Sequence, residues 1–238
     1  MSSFSNIINW DNLFAKSNEF KQNKFFEFAF IEEFFNRDFY EKLYETYPKI
    51  DDTWNINSDL SKFIYYKTWN NIPTSEISSE GDDPSLSEYW NKFKRYAETT
   101  EFVENFRKFS GVGPVKLKKI MFMGYKRGGF QLPHIHNVGP STLVLMIYFS
   151  KNWNKGDPGG TYMATEEEES SIIFEPYNLD NSLALFQDSP KAVHGVRIIT
   201  KDVERRGVQI YLEDYDDENG WSGVEPQSQE FQSKLPEI

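Results

Sequence analysis

The sequence contains three histidines, His134, His136 and His194, and they carry its clearest chemical signal. A single residue separates His134 from His136, so in an extended strand both imidazoles point to the same face. His194 follows much later in the chain, at the start of a further predicted strand. Three imidazoles that converge would form one face of an octahedral metal site and leave positions open for a substrate and dioxygen. We therefore predict that these residues bind a catalytic metal ion.

The composition excludes several other kinds of site and partner. The 238 residues contain no cysteine, which removes disulfides, thiolate metal ligands and a cysteine nucleophile. The formal net charge of -11 repels phosphate backbones, so nucleic acid is not an expected partner. The sequence also lacks a G-x-S-x-G elbow, a P-loop and a dinucleotide-binding fingerprint. The histidines thus remain the best candidates for chemistry.

The elements that must position them are predicted to be strands. After Pro114, β-branched and aromatic runs alternate with clusters of Gly, Pro, Asn and Asp, a pattern typical of many short strands. The predicted strands span residues 117–125, 143–150, 160–164, 171–174, 182–186, 192–198 and 207–213. Such a series favours a jelly-roll barrel, in which His194 would lie opposite the H-x-H pair.

The first half of the chain is predicted to be mainly helical support. A short strand over residues 25–30 precedes a helix over 32–47, where aromatic and leucine residues recur at helical spacing. Two further helices are predicted over 86–99 and 101–109, with Gly111 and Gly113 as stop signals. An aromatic patch at 63–66 predicts one more strand. The predicted class is mainly β with flanking helices (α+β).

We expect one domain over residues 1–214, followed by an acidic tail over 215–238. Within the domain, residues 1–113 would give the helical support and residues 114–214 the β-rich core. No export signal and no apolar run of membrane-spanning length is visible, so the expected location is the cytoplasm without a membrane partner. No residue indicates the oligomeric state.

Several stretches of the second half resemble one known family. They are YFSKNW from Tyr148, Gly159-Gly160, LFQDSP from Leu185, His194-Gly195-Val196 and RRGVQIY from Arg205. In these motifs the sequence resembles the iron(II)- and 2-oxoglutarate-dependent dioxygenases, nearest their prolyl 4-hydroxylase-like branch, over about residues 115–214. The resemblance implies a double-stranded β-helix, with iron(II) as cofactor, 2-oxoglutarate as co-substrate and ascorbate as a stimulant. It also implies hydroxylation of a substrate with release of succinate and CO2.

The resemblance assigns the metal ligands with one departure. The family binds iron through an H-x-D motif and a distal histidine, and His134 and His194 take the two histidine positions. His136 stands where the family normally has aspartate, which removes a negative charge and should weaken iron binding. Three interpretations follow: a working three-histidine site, a site that has lost activity, or iron bound by two histidines. We favour the first, and halogenation is disfavoured because imidazole fills the space that a halide would need.

The co-substrate requires a fixed cation for its distal carboxylate, and the planar fork of arginine suits this role. The family's pattern makes Arg205 the anchor, whereas a one-residue slip of the strand would give the role to Arg206. Tyr148 resembles the family's tyrosine that donates a hydrogen bond to the same carboxylate. Tyr125 is expected to line the co-substrate or substrate side of the cavity.

Two other functions fit parts of this pattern. A non-catalytic jelly-roll module would retain the histidines as remnants and bind a ligand or a protein. A cupin-like metal enzyme would use the H-x-H pair without a keto acid, but cupins usually add a glutamate shortly after the pair, and residues 137–149 contain none. Neither alternative requires a buried arginine. The substrate is expected to be a small molecule or a peptidyl group, and no residue selects between them.

Overall fold

The α-helices of the described chain all lie in its first half. The computed structural model describes residues 4, 6–72, 81–136, 138–216, 218 and 220–221, and the statements below concern these residues. The helices are α1 (Trp10–Ala15), α2 (Ser17–Lys21), α3 (Arg37–Glu45), α4 (Glu88–Ala97) and α5 (Thr100–Ser110). The hydroxyls of Ser87 and Thr99 cap α4 and α5 by accepting backbone N–H bonds. Gly111 ends α5 with a φ of 77°, a conformation that favours glycine.

The strands pair antiparallel and, unlike the α-helices, occur in both halves of the described chain. They are β1 (Phe28–Glu32), β2 (Asn55–Asp59), β3 (Lys62–Thr68), β4 (Lys116–Tyr125), β5 (Phe130–His134), β6 (Leu143–Phe149), β7 (Thr161–Ala164), β8 (Ile172–Phe174), β9 (Asp180–Gln187), β10 (Val193–Val196), β11 (Arg205–Glu213), β12 (Tyr215–Asp216) and β13 (Gly220–Trp221). The main sheet has the order β1-β9-β6-β11-β4-β3-β5-β10-β7-β8, and β2 pairs with β3. β12 and β13 form a separate pair.

This long sheet curls so that its two edge strands approach each other. The ring of Phe174 on β8 lies 5.6 Å from that of Phe30 and 5.7 Å from that of Phe28, both on β1. The result is a jelly-roll, cupin-like half-barrel with a few helices, which confirms the predicted fold class.

The sheet has two buried faces, and β6 shows how the sequence supplies both. All seven residues of β6 are buried. Leu143, Leu145, Ile147 and Phe149 belong to the core between sheet and helices, whereas Val144, Met146 and Tyr148 belong to the core inside the barrel. Because side chains alternate along a strand, one continuous apolar run can serve both layers. The barrel interior is therefore closed from behind by the helices.

Two elements of the first half have boundaries different from those predicted, because tertiary contacts hold the chain between them. The predicted helix over 32–47 begins only at Arg37, and the predicted strand over 25–30 is observed at Phe28–Glu32. Asn181 holds the segment between them, because its side chain accepts the N–H of Phe35 and donates to the carbonyl of the same residue. This long-range bonding holds residues 34–36 outside the helix despite their helical spacing.

Six of these elements were not predicted: α1, α2, β2, β5, β12 and β13. The case of β5 matters most, because it ends at His134. Pro133 lies at a register shift between β5 and β10, where a missing N–H breaks no regular pairing. The first half also contributes β1, β2 and β3 to the sheet.

The ends of the chain add little to this picture. The boundary at residue 214 stays a prediction, although β12 and β13 show paired backbone beyond it, and residues 222–238 lie outside the described chain. None of the described helices has the length and apolarity that crossing a membrane would require.

Candidate metal centre

Two of the three histidines lie opposite each other on paired strands. His134 at the end of β5 and His194 on β10 are in direct register. Each ring is held by the backbone in the same way: His134 Nδ1 donates to the carbonyl of Leu132 at 2.9 Å, and His194 Nδ1 to that of Ala192 at 2.8 Å. Because a carbonyl only accepts, Nδ1 carries the proton in both rings and Nε2 keeps its lone pair. Nε2 is thus the atom through which each ring can bind a metal ion, which at His134 would replace a hydrogen bond accepted from Gln131.

Glycine next to His194 makes this close approach of strands possible. A Cβ atom at Gly195 would lie 2.4 Å from the hydroxyl of Tyr162 and 2.7 Å from the carbonyl oxygen of Gln131. Neither neighbour could remain in place beside a larger residue. The His-Gly sequence therefore lets β10 fit between β5 and β7.

His136 completes the cluster from the segment after β5. Its Nε2 lies 3.2 Å from Nε2 of His194, and the ligand atoms of the three histidines all lie within 4.8 Å of one another. No other group of three potential metal-ligating residues occurs in the part of the chain that the structure describes. The predicted convergence of His134, His136 and His194 is present in the structure.

The environment keeps all three rings neutral. Burial lowers the pKa of His134 to about 4. Burial also lowers the pKa of His136 and of His194 well below the usual value, and the charge of a protonated His134 would add to the effect. Neutral imidazole is the form that binds metals, and it is a ligand that iron, zinc, copper and nickel accept. The donor set therefore fits iron(II), without a carboxylate among the three ligands.

Arg205 is fully buried inside the barrel. Its Nε donates to the carbonyl of Gly159 at 3.1 Å and its Nη2 to Oγ1 of Thr161 at 2.9 Å, while Nη1 has no hydrogen-bond partner. None of the ion pairs found in the described chain involves this guanidinium. A buried cation without an anion is costly, so a bound carboxylate would stabilise it. The free Nη1 fits such a ligand.

Two tyrosines and a glycine shape the space around that guanidinium. The rings of Tyr125 and Tyr148 lie 4.7 and 4.9 Å from the Arg205 guanidinium carbon, which partly compensates for its burial. A Cβ atom at Gly207 would lie 3.2 Å from Sδ of Met146 and 3.4 Å from Nη1 of Arg205. Glycine at this position therefore avoids crowding Nη1 with a side chain.

Hydrogen bonds connect the arginine side of the cavity to the histidines. The hydroxyl of Tyr125 donates to Gln131 Oε1 at 3.0 Å, and Gln131 Nε2 donates to His134 Nε2 at 3.1 Å. The hydroxyl of Tyr148 accepts the N–H of Thr161 at 3.0 Å. Burial raises the pKa of Tyr125 to about 12 and also raises that of Tyr148, so both phenols keep their protons. The histidine cluster and the guanidinium of Arg205 thus lie in the same barrel interior.

The neighbouring arginine has a different environment. Arg206 is half-buried, forms an ion pair with Glu204 at 2.7 Å and lies over the ring of Tyr47. Its side chain is therefore on the opposite face of β11 from Arg205, as expected from strand alternation.

Sequence reasoning missed several residues that complete the site. Gln131, Thr161 and Asp188 were given no role, and the hydroxyl of Tyr211 lies 3.4 Å from each ring nitrogen of His136. Tyr211 could have been found from the sequence, because alternation along the strand places it on the same face as Arg205. Gln131 and Thr161 gave none, because strand pairing alone places them.

The fold and the site together define the class of this protein as a jelly-roll barrel with three imidazoles in its interior. No protein-family model and no curated protein matches the sequence. Among solved structures, a prolyl-4-hydroxylase from Pseudomonas putida is similar with a TM-score of 0.62 and 13% identity, over 86% of this chain and 100% of its own.

Two further structures support the same class of fold. The non-heme α-ketoglutarate-dependent carbocyclase SnoK from nogalamycin biosynthesis is similar with a TM-score of 0.61 and 11% identity, over 95% of this chain and 92% of its own. A prolyl hydroxylase from Trichoplax adhaerens, in complex with a hypoxia inducible factor peptide fragment, has a TM-score of 0.54 and 14% identity, with 85% and 88% covered. At these identities, the likeness shows the fold that these oxygenases share.

Proposed function

We propose that this protein is an iron(II)- and 2-oxoglutarate-dependent dioxygenase that hydroxylates a small-molecule or peptidyl substrate. One observation carries the proposal: three neutral imidazoles and one buried guanidinium with a free N–H face the same barrel interior. A metal site alone would suit many proteins. A buried arginine without an anionic partner in the same cavity is the feature that a keto acid explains.

Each residue has a distinct role in this proposal. His134, His136 and His194 hold iron(II), and Arg205 binds the distal carboxylate of 2-oxoglutarate through Nη1. Tyr148 donates its own proton to that carboxylate, since its oxygen already accepts the N–H of Thr161. When bound, iron and 2-oxoglutarate supply the oxidation of a C–H bond by dioxygen, with release of succinate and CO2. The predicted stimulation by ascorbate belongs to the same proposal.

The rest of the barrel interior excludes water from the reacting groups. Met123, Val144, Met146 and Phe186 are buried on the inner face, and the ring of Phe186 lies 4.4 Å from that of His194. An apolar lining strengthens the electrostatic interactions of Arg205 with a bound carboxylate.

The test compares the two adjacent arginines. Titration of 2-oxoglutarate into the anaerobic, iron(II)-loaded protein should give saturable binding, and addition of dioxygen should release succinate even without a substrate. Arg205→Met should weaken keto-acid binding by about 100-fold, because the two N–H groups of Nη1 would each lose a charge-assisted hydrogen bond worth roughly 1.5 kcal/mol. Arg206→Met is the matched control, and its binding should stay within about threefold of the wild type.

Three results would contradict the proposal. Metal binding without keto-acid binding would favour a cupin-like metal enzyme. Absence of both would favour a non-catalytic jelly-roll module. Equal losses in the two arginine variants would show that Arg205 is not a specific anchor.

A further inference from the structure

The segment that follows His136 is held by the end of β9. The buried carboxylate of Asp188 accepts the backbone N–H groups of Val138 and of Gly139, the latter at 3.0 Å. The backbone of Asp188 donates to the carbonyl of Thr142 at 2.9 Å. Gln187 adds a side-chain bond to the carbonyl of Pro140 at 2.6 Å. Residues 187 and 188 thus hold the loop over residues 138–142, which begins two residues after His136.

His136 depends on such support more than the other two histidines do. His134 and His194 each donate Nδ1–H to a carbonyl two residues earlier, and each lies on a paired strand. Among the described residues, His136 has no corresponding bond to a backbone carbonyl. Its ring contacts are with other side chains, namely the other two histidines, Tyr211 and Phe186. Its position must therefore be set by the path of its own loop.

We propose that Asp188 is a positioning residue that fixes His136 as the third metal ligand by binding the backbone of the loop that follows it. Two N–H groups on one carboxylate oxygen are charge-assisted bonds in a buried setting, so they restrain the loop strongly. The inference rests on the metal site of the proposed function, but not on 2-oxoglutarate or on any substrate. It adds a positioning role for a residue that is not among the three proposed metal ligands.

The chain offers a matched control for a purely structural role. Asp83 is also buried, and its carboxylate oxygens accept the N–H groups of Asn70 and Ser85, each at 2.8 Å. It lies on the helical side of the fold, before α4. Asp83→Ala should therefore lower stability as Asp188→Ala does, without affecting the metal ligands.

The experiment measures Co(II) affinity by calorimetry in the full-length protein and its variants. Asp188→Ala should lower the affinity by up to about tenfold, and by no more than His136→Ala does, in line with other residues that support a metal ligand. Asp188→Asn, which keeps an acceptor oxygen, should recover most of the loss. In the His136→Ala background, Asp188→Ala should cause no further loss, because the two changes remove the same ligand. Asp83→Ala should leave the affinity unchanged.

A second measurement needs no metal. The chain has only three histidines, so their ring protons give three resolvable sets of NMR signals. Asp188→Ala and Asp188→Asn should shift or broaden the His136 signals and leave those of His134 and His194 in place. This result keeps the inference testable if the wild type binds no metal, an outcome that would remove the proposed function instead.

Other outcomes would overturn the inference. They are an additive loss of Co(II) affinity in the double variant, an equal loss in Asp83→Ala, or ring signals that respond alike for all three histidines. Each would mean that Asp188 acts on the fold as a whole.

Discussion

Two of the histidines are positioned by local structure and the third by distant parts of the chain. His134 and His194 are cross-strand partners with the same backbone hydrogen bond, so the pairing of β5 with β10 fixes both rings. His136 lies beyond the end of β5 and is held through Asp188 and side-chain packing. A three-imidazole cluster can therefore consist of a rigid pair and a separately supported third ligand.

The largest expected effect breaks the rigid pair. His194→Ala should lower metal affinity by at least about 100-fold. Structural zinc sites with four protein ligands bind with roughly 10–16 kcal/mol, so each ligand contributes about 3 kcal/mol, and we expect a similar loss here. His136→Ala should lose less, roughly tenfold, because ordering its loop and ring offsets part of its contribution. Calorimetric titration with Co(II) measures both losses.

Two results for the affinity losses of His194→Ala and His136→Ala would contradict this prediction. Equal losses at positions 136 and 194 would show that the third ligand is as firmly placed as the pair. No loss at position 136 would leave a two-histidine site. His136→Asp is the informative companion, because a carboxylate there should preserve binding.

A smaller effect concerns pH and the metal-free protein. The pKa of His134 is lowered to about 4 by burial, so the unfolded chain takes up a proton below its usual pKa of about 6.5 while the folded chain does not. The stability is therefore fully present above pH 6.5 and is lost as the pH falls towards 4. From this group alone the free energy of unfolding should fall by about 2 kcal/mol between pH 7 and pH 5.

Denaturant unfolding at the two pH values distinguishes the two kinds of ligand. His134→Gln should flatten the pH dependence, because the ring cannot be protonated without opening the β5–β10 pair. His136→Gln should change it less, since local opening of the loop can expose that ring without global unfolding. A pH dependence that responds equally to both substitutions would contradict the comparison.

The parts of the fold that could be predicted are those encoded in local runs. Residues 117–125, 143–150 and 207–213 read as strands because their apolar runs are bounded by turn residues, and the observed β4, β6 and β11 match them closely. The spacing of His134 and His136 likewise predicted that two rings would share one direction. The buried position of Arg205, rather than Arg206, agrees with alternation along β11.

What could not be predicted depends on contacts between distant residues. The register of His134 with His194 brings together strands that no local pattern pairs. Pro133 made residues 130–134 unlike a strand in the sequence. A proline is tolerated there because of a register shift that only the three-dimensional structure shows. Asp188 reads as an ordinary polar residue in the sequence, and its role follows only from the two N–H groups that it binds.

X-ray absorption spectroscopy at the metal edge tests whether three histidines bind the metal, because scattering from the rings counts the bound imidazoles. The wild-type protein loaded with iron(II) should show three imidazoles, and His136→Ala should show two. A count of two in the wild type, unchanged in His136→Ala, would contradict the three-histidine site on which the proposed function depends.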